Sequence, residues 1–164
     1  MKAGIVFDWR GQRGEYWVLA QGLLLLGFAL LPVHRSPLLQ PSALIVYFMW
    51  AVAAGLGLGA AVLVLKGLVD LGRNLTPLPY PVESGELVRS GVYGIVRHPL
   101  YSGLVLAALG WAIFQVSLSH LLGAIVLFLF FDAKANREEN WLVEKYPDYA
   151  DYRLQVKKLL PWLY

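Results

Sequence analysis

Two short polar stretches of the sequence hold the side chains best suited to chemistry. The first is Arg97-His98-Pro99-Leu100-Tyr101, which stands directly before an apolar run. Proline disfavours a helical backbone at the residue before it and fits the first turn of a helix, so we predict that His98 lies at a helix start. The unpaired backbone N–H groups there, together with Arg97, would bind an anion. A second interpretation is that Arg97 and His98 only mark a membrane boundary.

The second stretch runs from Lys134 to Trp141 and reads KANREENW. Lys134 and Glu138 are four residues apart, so they share one face of a helix, and Glu139 adjoins them. These charges directly follow an apolar run, and a charge at the centre of a membrane helix costs about 2.5–3.5 kcal/mol. Carboxylates in such a place suit a cationic ligand. The alternative is a solvated helix face with ion pairs.

Four apolar segments would position these residues, and they predict an all-α membrane protein with four transmembrane helices. The segments cover about residues 17–33, 43–65, 100–116 and 118–133. The first three have the length of a membrane-crossing helix. We expect the fourth to continue as a helix through Asp132 into the polar stretch. Apolar residues make up 58% of the chain and charged residues 15%, whereas soluble domains have about 45–50% and about 25%.

The distribution of basic residues predicts how the helices are oriented. Of the 14 lysines and arginines, all but Arg35 lie in the N-terminal arm, in the Pro/Gly-rich segment between spans two and three, or in the C-terminal tail. The positive-inside rule then places both termini and this loop in the cytoplasm of a single membrane domain, residues 1–164. The tail is predicted to form an amphipathic helix at the membrane interface. Its apolar face would comprise Tyr149, Tyr152, Val156 and Leu159.

The link between spans three and four is short and predicts a helical hairpin. The start of span three and the end of span four are then neighbours on the cytoplasmic side. We therefore expect His98 and Glu138 to line one polar pocket beneath the Pro/Gly-rich loop. Such a pocket would hold a charged, water-soluble cosubstrate on one side and a lipophilic one on the other.

The composition also excludes or disfavours several kinds of site. The chain has no cysteine, which excludes disulfides and thiolate chemistry, and its three histidines lack metal-ligand spacing. Its net charge of +3 comes without a basic patch interleaved with aromatic residues, so we expect neither nucleic acid nor metal as a partner. The letters GLGLGA from Gly55 match a dinucleotide-binding fingerprint, but they lie inside a span. We predict instead that Gly55 and Gly59 allow close helix packing.

Taken together, these motifs resemble a known family. The string SGELVRSGVYGIVRHPLYSG, followed about 35 residues later by EEN and then by YPDYADYRLQV, resembles the isoprenylcysteine carboxyl methyltransferase and phospholipid methyltransferase family. The resemblance covers about residues 70–160. It implies an integral membrane enzyme that transfers the methyl group of S-adenosylmethionine to a lipophilic acceptor at the cytoplasmic membrane face. The cofactor-binding region would span about residues 74–164.

The resemblance also implies roles for individual residues. Those that match cofactor-binding segments are Gly85, Glu86, Leu87, Val88, Tyr93, His98, Pro99, Leu100, Tyr101 and Glu138. A shift of one residue in the alignment would exchange Glu138 for Glu139. Lys134 stands where relatives have an arginine that contacts the acceptor. This departure leaves open whether the acceptor is a prenylated cysteine carboxylate, a phospholipid amine or a small lipophilic molecule.

The candidate catalytic residues are Arg97, His98 and Glu139. Arg97 suits the carboxylate of the cofactor, because guanidinium groups form charge-assisted hydrogen bonds to carboxylates. His98 or Glu139 would accept the proton that an amine acceptor must lose, whereas a carboxylate acceptor needs no base. Tyr93 and Tyr101 would pack against the adenine or the sulfonium.

Two other functions fit parts of the sequence. A membrane reductase with a nicotinamide cofactor would share the Pro/Gly-rich loop, but a 2′-phosphate calls for more clustered arginines than Arg89 and Arg97. A non-enzymatic membrane scaffold would keep the same motifs for packing alone. Substitutions in the pocket would then unfold the protein without changing ligand affinity.

Overall fold

The computed structural model describes residues 13–37 and 40–164. The helices are α1 (Glu15–Ala29), α2 (Ala43–Leu71), α3 (Pro99–Gln115), α4 (Leu118–Lys145) and α5 (Tyr149–Gln155). Two 3-10 turns, Gly72–Asn74 and Gly91–Gly94, lie at the two ends of the loop between α2 and α3. Within the described residues, β-type pairing is confined to one parallel bridge between Val96 and Lys157. Lys2 and Arg10 of the basic N-terminal arm lie outside these residues.

The four long helices pack side by side, with α2 against α3, α3 against α4, and α1 against α4. Two of them are long and apolar enough to cross a membrane: α2 together with the 3-10 turn that follows it (Ala43–Asn74), and α4 (Leu118–Lys145). The other two, α1 and α3, are apolar but shorter. Large hydrophobic side chains cover the lateral surface; Leu23 and Leu58, for example, are 71% and 70% exposed. An apolar surface of this extent is typical of contact with lipid. The predicted all-helical architecture is confirmed.

Small residues allow α2 and α3 to approach closely. A Cβ atom on Gly103 would lie 2.5 Å from Val64 Cγ2 and 3.0 Å from the carbonyl oxygen of Ala60. Within the described residues, Gly55 and Gly59 do not make the close helix contact that the sequence predicts. Both glycines are on an outward face of α2, where a Cβ atom would meet nothing within 4 Å beyond the local helix backbone.

Two helix ends differ from the sequence prediction. α2 continues past Lys66, and the ammonium group of Lys66 pairs with Asp70 Oδ1 at 3.1 Å, one turn along the same helix. It ends at Gly72, whose φ of +51° breaks the helix. α1 ends at Ala29, ahead of Pro32, and is therefore shorter than the predicted span over residues 17–33.

The hairpin between α3 and α4 is confirmed. α3 begins at Pro99 and ends where Val116 adopts a left-handed conformation. Ser117 then caps α4 by accepting a hydrogen bond from the backbone N–H of His120. As predicted, α4 continues without a break to Lys145, so its polar end lies near the start of α3.

The tail differs from the predicted interfacial helix. α5 is short, and three residues of the predicted apolar face are buried against the protein: Tyr149 and Tyr152 in α5, and Leu159 beyond its end. The segment after α5 pairs with the start of α3, because the carbonyl groups of Lys157 and Lys158 accept hydrogen bonds from the two residues before Pro99. An amphipathic pattern predicts a buried face but does not say whether lipid or protein covers it.

Candidate functional site

Two neighbouring cavities lie where the start of α3 meets the polar end of α4. The larger has a volume of about 400 Å³ and the smaller of about 90 Å³. Six residues line both cavities: Leu71, Thr76, Tyr93, Arg97, His98 and Glu138. The structure thus brings His98 and Glu138 to one site, as the hairpin topology predicts.

The two cavities differ in their walls. The larger one is mostly apolar, with leucines of α2 and α3 around it. Beyond the shared residues, its polar side chains are Gln21 from α1 and Lys134 from α4. The smaller one lies between the Pro/Gly-rich loop, the end of α4 and α5. Its residues beyond the shared set are Asn74, Pro81, Val82, Glu86, Leu87, Val88, Leu142, Tyr146, Tyr149 and Tyr152.

Glu138 lies at the junction of the cavities. Its Oε2 atom accepts a hydrogen bond of 2.7 Å from the Tyr101 hydroxyl and lies 3.8 Å from Nδ1 of His98. The side chain is 25% exposed, so the carboxylate still faces open space. The imidazole of His98 stacks on the Tyr101 ring at 5.4 Å, with an angle of 3° between the planes. These contacts hold the Glu138 carboxylate in one orientation on the cavity wall.

Glu139 lines neither cavity, although it is the next residue. Its Oε1 atom accepts a 2.8 Å hydrogen bond from Nε of Arg97 and lies 3.1 Å from Nε2 of His98. Its Oε2 atom lies 3.3 Å from Nε of Arg153. The side chain is 3% exposed. Glu139 is therefore the centre of a buried ion-pair network beneath the site.

The guanidinium group of Arg97 is bound within the protein. Besides Glu139, it donates to the carbonyl oxygen of Arg153 at 3.1 Å and to that of Val156. Its backbone N–H donates to the carbonyl oxygen of Lys157. Through these bonds Arg97 ties α3, α4 and the tail together, so its Nε and Nη1 donors are already engaged and are not free for the anion that the sequence predicts.

Lys134 is a buried cation on the wall of the larger cavity. Its ammonium group donates hydrogen bonds to Oε1 of Gln21 at 2.6 Å and to the carbonyl oxygen of Pro77 at 3.4 Å, and it lies 5.1 Å from the centre of the Tyr101 ring. All these partners are neutral. Among the described residues, no carboxylate forms an ion pair with Lys134, and the residue is 1% exposed.

The Pro/Gly-rich loop is held over the smaller cavity by side chains on both sides. The amide of Asn74 makes two hydrogen bonds of 3.1 Å to the backbone of Glu86. From α4, Lys145 donates to the carbonyl groups of Val82 and Glu83. Close packing also requires the glycine at position 85, where a Cβ atom would lie 2.7 Å from Oδ1 of Asn74. These contacts hold the loop in place over the smaller cavity.

Burial sets the protonation of two tyrosines on the walls. It raises the pKa of the Tyr93 hydroxyl well above the ordinary value of 10, and the negative charge of Glu138 raises it further. Burial likewise raises the pKa of Tyr152, whose hydroxyl donates a 2.5 Å hydrogen bond to the carbonyl oxygen of Tyr93. Both hydroxyl groups are neutral at physiological pH.

Most of the predicted site residues line a cavity. On the larger one are Tyr93, Arg97, His98, Pro99, Leu100, Tyr101, Lys134 and Glu138, and on the smaller one are Glu86, Leu87 and Val88. Gly85 and Glu139 line neither. Sequence reasoning missed Gln21, Asn74, Tyr149 and Arg153. The three-residue spacing of Tyr146, Tyr149 and Tyr152 is a signal that could have indicated a shared wall.

Comparison with known families agrees with this arrangement. The family model of the phospholipid methyltransferases matches residues 43–149, which is well over half of the chain. The chain therefore belongs to the phospholipid methyltransferase family. The resemblance to the isoprenylcysteine carboxyl methyltransferase and phospholipid methyltransferase group is confirmed.

Similar proteins are named as methyltransferases. A protein-S-isoprenylcysteine O-methyltransferase of Schizosaccharomyces pombe is 39% identical over 77 residues, which is 46% of this chain and 33% of that protein. A probable protein-S-isoprenylcysteine O-methyltransferase of Oryza sativa subsp. japonica is 28% identical over 147 residues, which is 87% of this chain and 77% of that protein. None of these names indicates a nicotinamide-dependent reductase.

A solved structure shares the fold. The eukaryotic intramembrane Ras methyltransferase, an isoprenylcysteine carboxyl methyltransferase, superposes with a TM-score of 0.63 at 20% sequence identity. The match covers 96% of this chain and 55% of that chain. This chain therefore shares that fold and spans about half the length of the solved chain.

Proposed function

We propose that this protein transfers the methyl group of S-adenosylmethionine to a carboxylate on a lipophilic acceptor. The observation that supports this most is the position of Glu138 and His98 at the junction of two unlike cavities. The smaller cavity and the junction would hold the cofactor, and the larger one the acceptor. When bound, S-adenosylmethionine would supply an electrophilic methyl group, and its transfer to an ionised carboxylate would break the sulfur–methyl bond and release S-adenosylhomocysteine.

The residues at the junction fit a cationic cofactor. Glu138 presents a carboxylate that the Tyr101 hydroxyl holds in one orientation, and an anion within a partly desolvated site attracts a sulfonium. Tyr93 adds an aromatic ring to both cavity walls, and aromatic faces attract cations. We assign the contact with the cofactor to Glu138 and not to Glu139, because the carboxylate of Glu139 is already bound by Arg97, His98 and Arg153.

Lys134 favours an anionic acceptor. A buried cation without a charged partner is costly, and an anion that enters the larger cavity would offset that cost. Positioning by such a group supplies much of the rate in a displacement reaction. The relatives are named as isoprenylcysteine O-methyltransferases, and an acceptor of that kind has both a carboxylate and a lipid chain to fill the apolar wall.

A carboxylate acceptor also agrees with the state of the candidate bases. It is ionised at neutral pH and needs no proton removed. The carboxylate of Glu139 is already bound by Arg97, His98 and Arg153, so it is not free to take a proton from an amine. We assign Arg97 and Glu139 as positioning residues that hold His98 and Tyr101 against Glu138.

We further propose four membrane-spanning helices with both termini in the cytoplasm. α2 and α4 have the length and apolar composition of spanning helices. α1 and α3 are shorter apolar helices that pack on α4 and α2, respectively. Because the cavities lie at the end of the molecule with most of the basic residues, the site would face the cytoplasm.

Calorimetry with S-adenosylhomocysteine tests this function on the purified protein in lipid nanodiscs. We expect saturable binding, and we expect Glu138→Gln to weaken it. Glu144→Gln is the matched control, since Glu144 is an exposed residue of the same helix that lines neither cavity. No binding by the unaltered protein, or equal binding by both variants, would overturn the proposal. A scaffold would instead show lost stability without a change in affinity.

A further inference from the structure

Three tyrosines at three-residue spacing line the smaller cavity from the end of α4 and from α5. Two of their hydroxyl groups are bound to backbone carbonyl oxygens. Tyr146 donates to Gly85 at 2.8 Å, and Tyr152 donates to Tyr93 at 2.5 Å. These two residues thus attach both ends of the loop segment between Gly85 and Tyr93 to the end of α4 and to α5.

Tyr149 lies between them and differs from both. Its side chain is 1% exposed, yet its hydroxyl has no hydrogen-bond partner within residues 13–37 and 40–164. Buried hydroxyl groups in folded proteins nearly always have a partner, because burying one without a bond is costly. The ring contacts that of Tyr152 edge to face at 5.7 Å, so the side chain is held in place by packing.

The walls around Tyr149 are suited to a neutral, flat ligand group. They consist mainly of aliphatic and aromatic side chains, such as Leu87, Val88 and Leu142. Arg97 and Glu138 lie at the junction with the larger cavity, and Glu86 lies at the exposed side. A cavity of about 90 Å³ has room for a flat ring and is too small for a lipid chain.

The hydroxyl is also in the right protonation state to donate. Burial, followed by the negative charge of Glu139, raises the pKa of Tyr149 far above its ordinary value of 10. The group is therefore neutral at physiological pH and has a proton to offer to a ring nitrogen or a ribose oxygen.

We propose that the Tyr149 hydroxyl binds the nucleoside part of the cofactor by a hydrogen bond. This inference rests on the proposed function, because it takes S-adenosylmethionine as the ligand of the smaller cavity. It adds a cofactor-binding residue from the tail, outside the two polar motifs that the sequence identifies. The charged amino-acid end of the cofactor would then lie towards the junction, where His98 and Glu138 are found.

Tyr149→Phe tests the proposal, with Tyr152→Phe as the matched control on the same helix. In the full-length protein in nanodiscs, Tyr149→Phe should weaken binding of S-adenosylhomocysteine about tenfold, which is the effect of one lost hydrogen bond. Without ligand, its melting temperature should stay equal or rise, because an unbonded buried hydroxyl is removed. Tyr152→Phe should lower the melting temperature, because a bonded hydroxyl is removed.

Adenosine alone serves as a second probe. An equal relative loss for adenosine and for S-adenosylhomocysteine in Tyr149→Phe supports contact with the nucleoside. A loss for S-adenosylhomocysteine without one for adenosine would overturn that placement. Unchanged affinity for both, or a melting temperature lowered as in Tyr152→Phe, would overturn the role of Tyr149 while the proposed function stands. If the unaltered protein binds neither probe, the proposed function and this inference both fail.

Discussion

Glu138 and Glu139 are adjacent in the chain, yet their carboxylates lie in different environments. Glu138 accepts a hydrogen bond from Tyr101 and lines both cavities, whereas Glu139 is buried between Arg97, His98 and Arg153. Successive residues on a helix point about 100° apart, so one faces the site and the other the supporting network. Glu138 therefore belongs to the site, and Glu139 belongs to the ion-pair network that supports it.

Substituting the two glutamates should separate these roles. Glu138→Gln keeps the shape and the acceptor for Tyr101 but removes the charge, so binding of S-adenosylhomocysteine should weaken by about ten- to hundredfold. Glu139→Gln leaves buried arginine charge uncompensated and should lower the free energy of unfolding by about 3–5 kcal/mol. Calorimetry and thermal unfolding on both variants check this. The assignment is wrong if Glu139→Gln loses affinity at unchanged stability.

Lys134→Met should impair use of the acceptor without affecting the cofactor. Methionine keeps most of the apolar stem but removes the charge that we assign to the acceptor carboxylate. We expect the KM for a prenylated cysteine acceptor to rise at least tenfold, because a hydrogen bond to a charged group is lost. The Kd for S-adenosylhomocysteine should stay the same. Lys157→Met, which changes an exposed side chain, is the control, and equal kinetics in the two variants would contradict the role of Lys134.

The meeting of His98 and Glu138 could be predicted from sequence because it follows from topology. A short link between two apolar helices makes a hairpin, and a hairpin brings the start of one helix to the end of the next. Local rules also predicted two helix bounds. α3 begins at Pro99, and α4 continues without a break past Asp132. The end of α2 did not follow from such rules: the charge of Lys66 suggests an end there, but the helix continues to Leu71 and stops before Gly72.

The partners of individual polar groups could not be predicted. The sequence indicates that Arg97 lies at a helix start, but it does not show that the carbonyl groups of Arg153 and Val156 take up its donors. The pattern of Tyr149 and Tyr152 indicates a buried face, but whether protein or lipid covers it depends on the path of the tail. Both questions concern residues more than 50 positions apart.

Packing between α2 and α3 gives a stability prediction. Gly103→Ala places a Cβ atom 2.5 Å from Val64 Cγ2 and 3.0 Å from a backbone carbonyl, so we expect a loss of about 1–3 kcal/mol from overpacking. Gly59→Ala is the control because nothing lies near its Cβ position, and alanine favours the helix. Melting temperatures in nanodiscs measure both. Equal destabilisation by the two substitutions would contradict the described contact.

The proposed topology can be tested by labelling, because the chain has no cysteine. Single cysteines at Glu83, in the Pro/Gly-rich loop, and at Gln40, in the first loop, are both exposed. In sealed cells, a membrane-impermeant thiol reagent should label Gln40→Cys and should reach Glu83→Cys only after permeabilisation. The reverse pattern, or labelling of both from one side, would be incompatible with four spans and a cytoplasmic site.

The central claim is tested most directly by the chemical nature of the product. The protein in nanodiscs is incubated with methyl-labelled S-adenosylmethionine and an N-acylated, prenylated cysteine, and the labelled lipid is then treated with alkali. We predict that the unaltered protein, and not Glu138→Gln, yields label that alkali releases as methanol, since a methyl ester is hydrolysed. The absence of labelled lipid, or label that resists alkali, would contradict methyl transfer to a carboxylate.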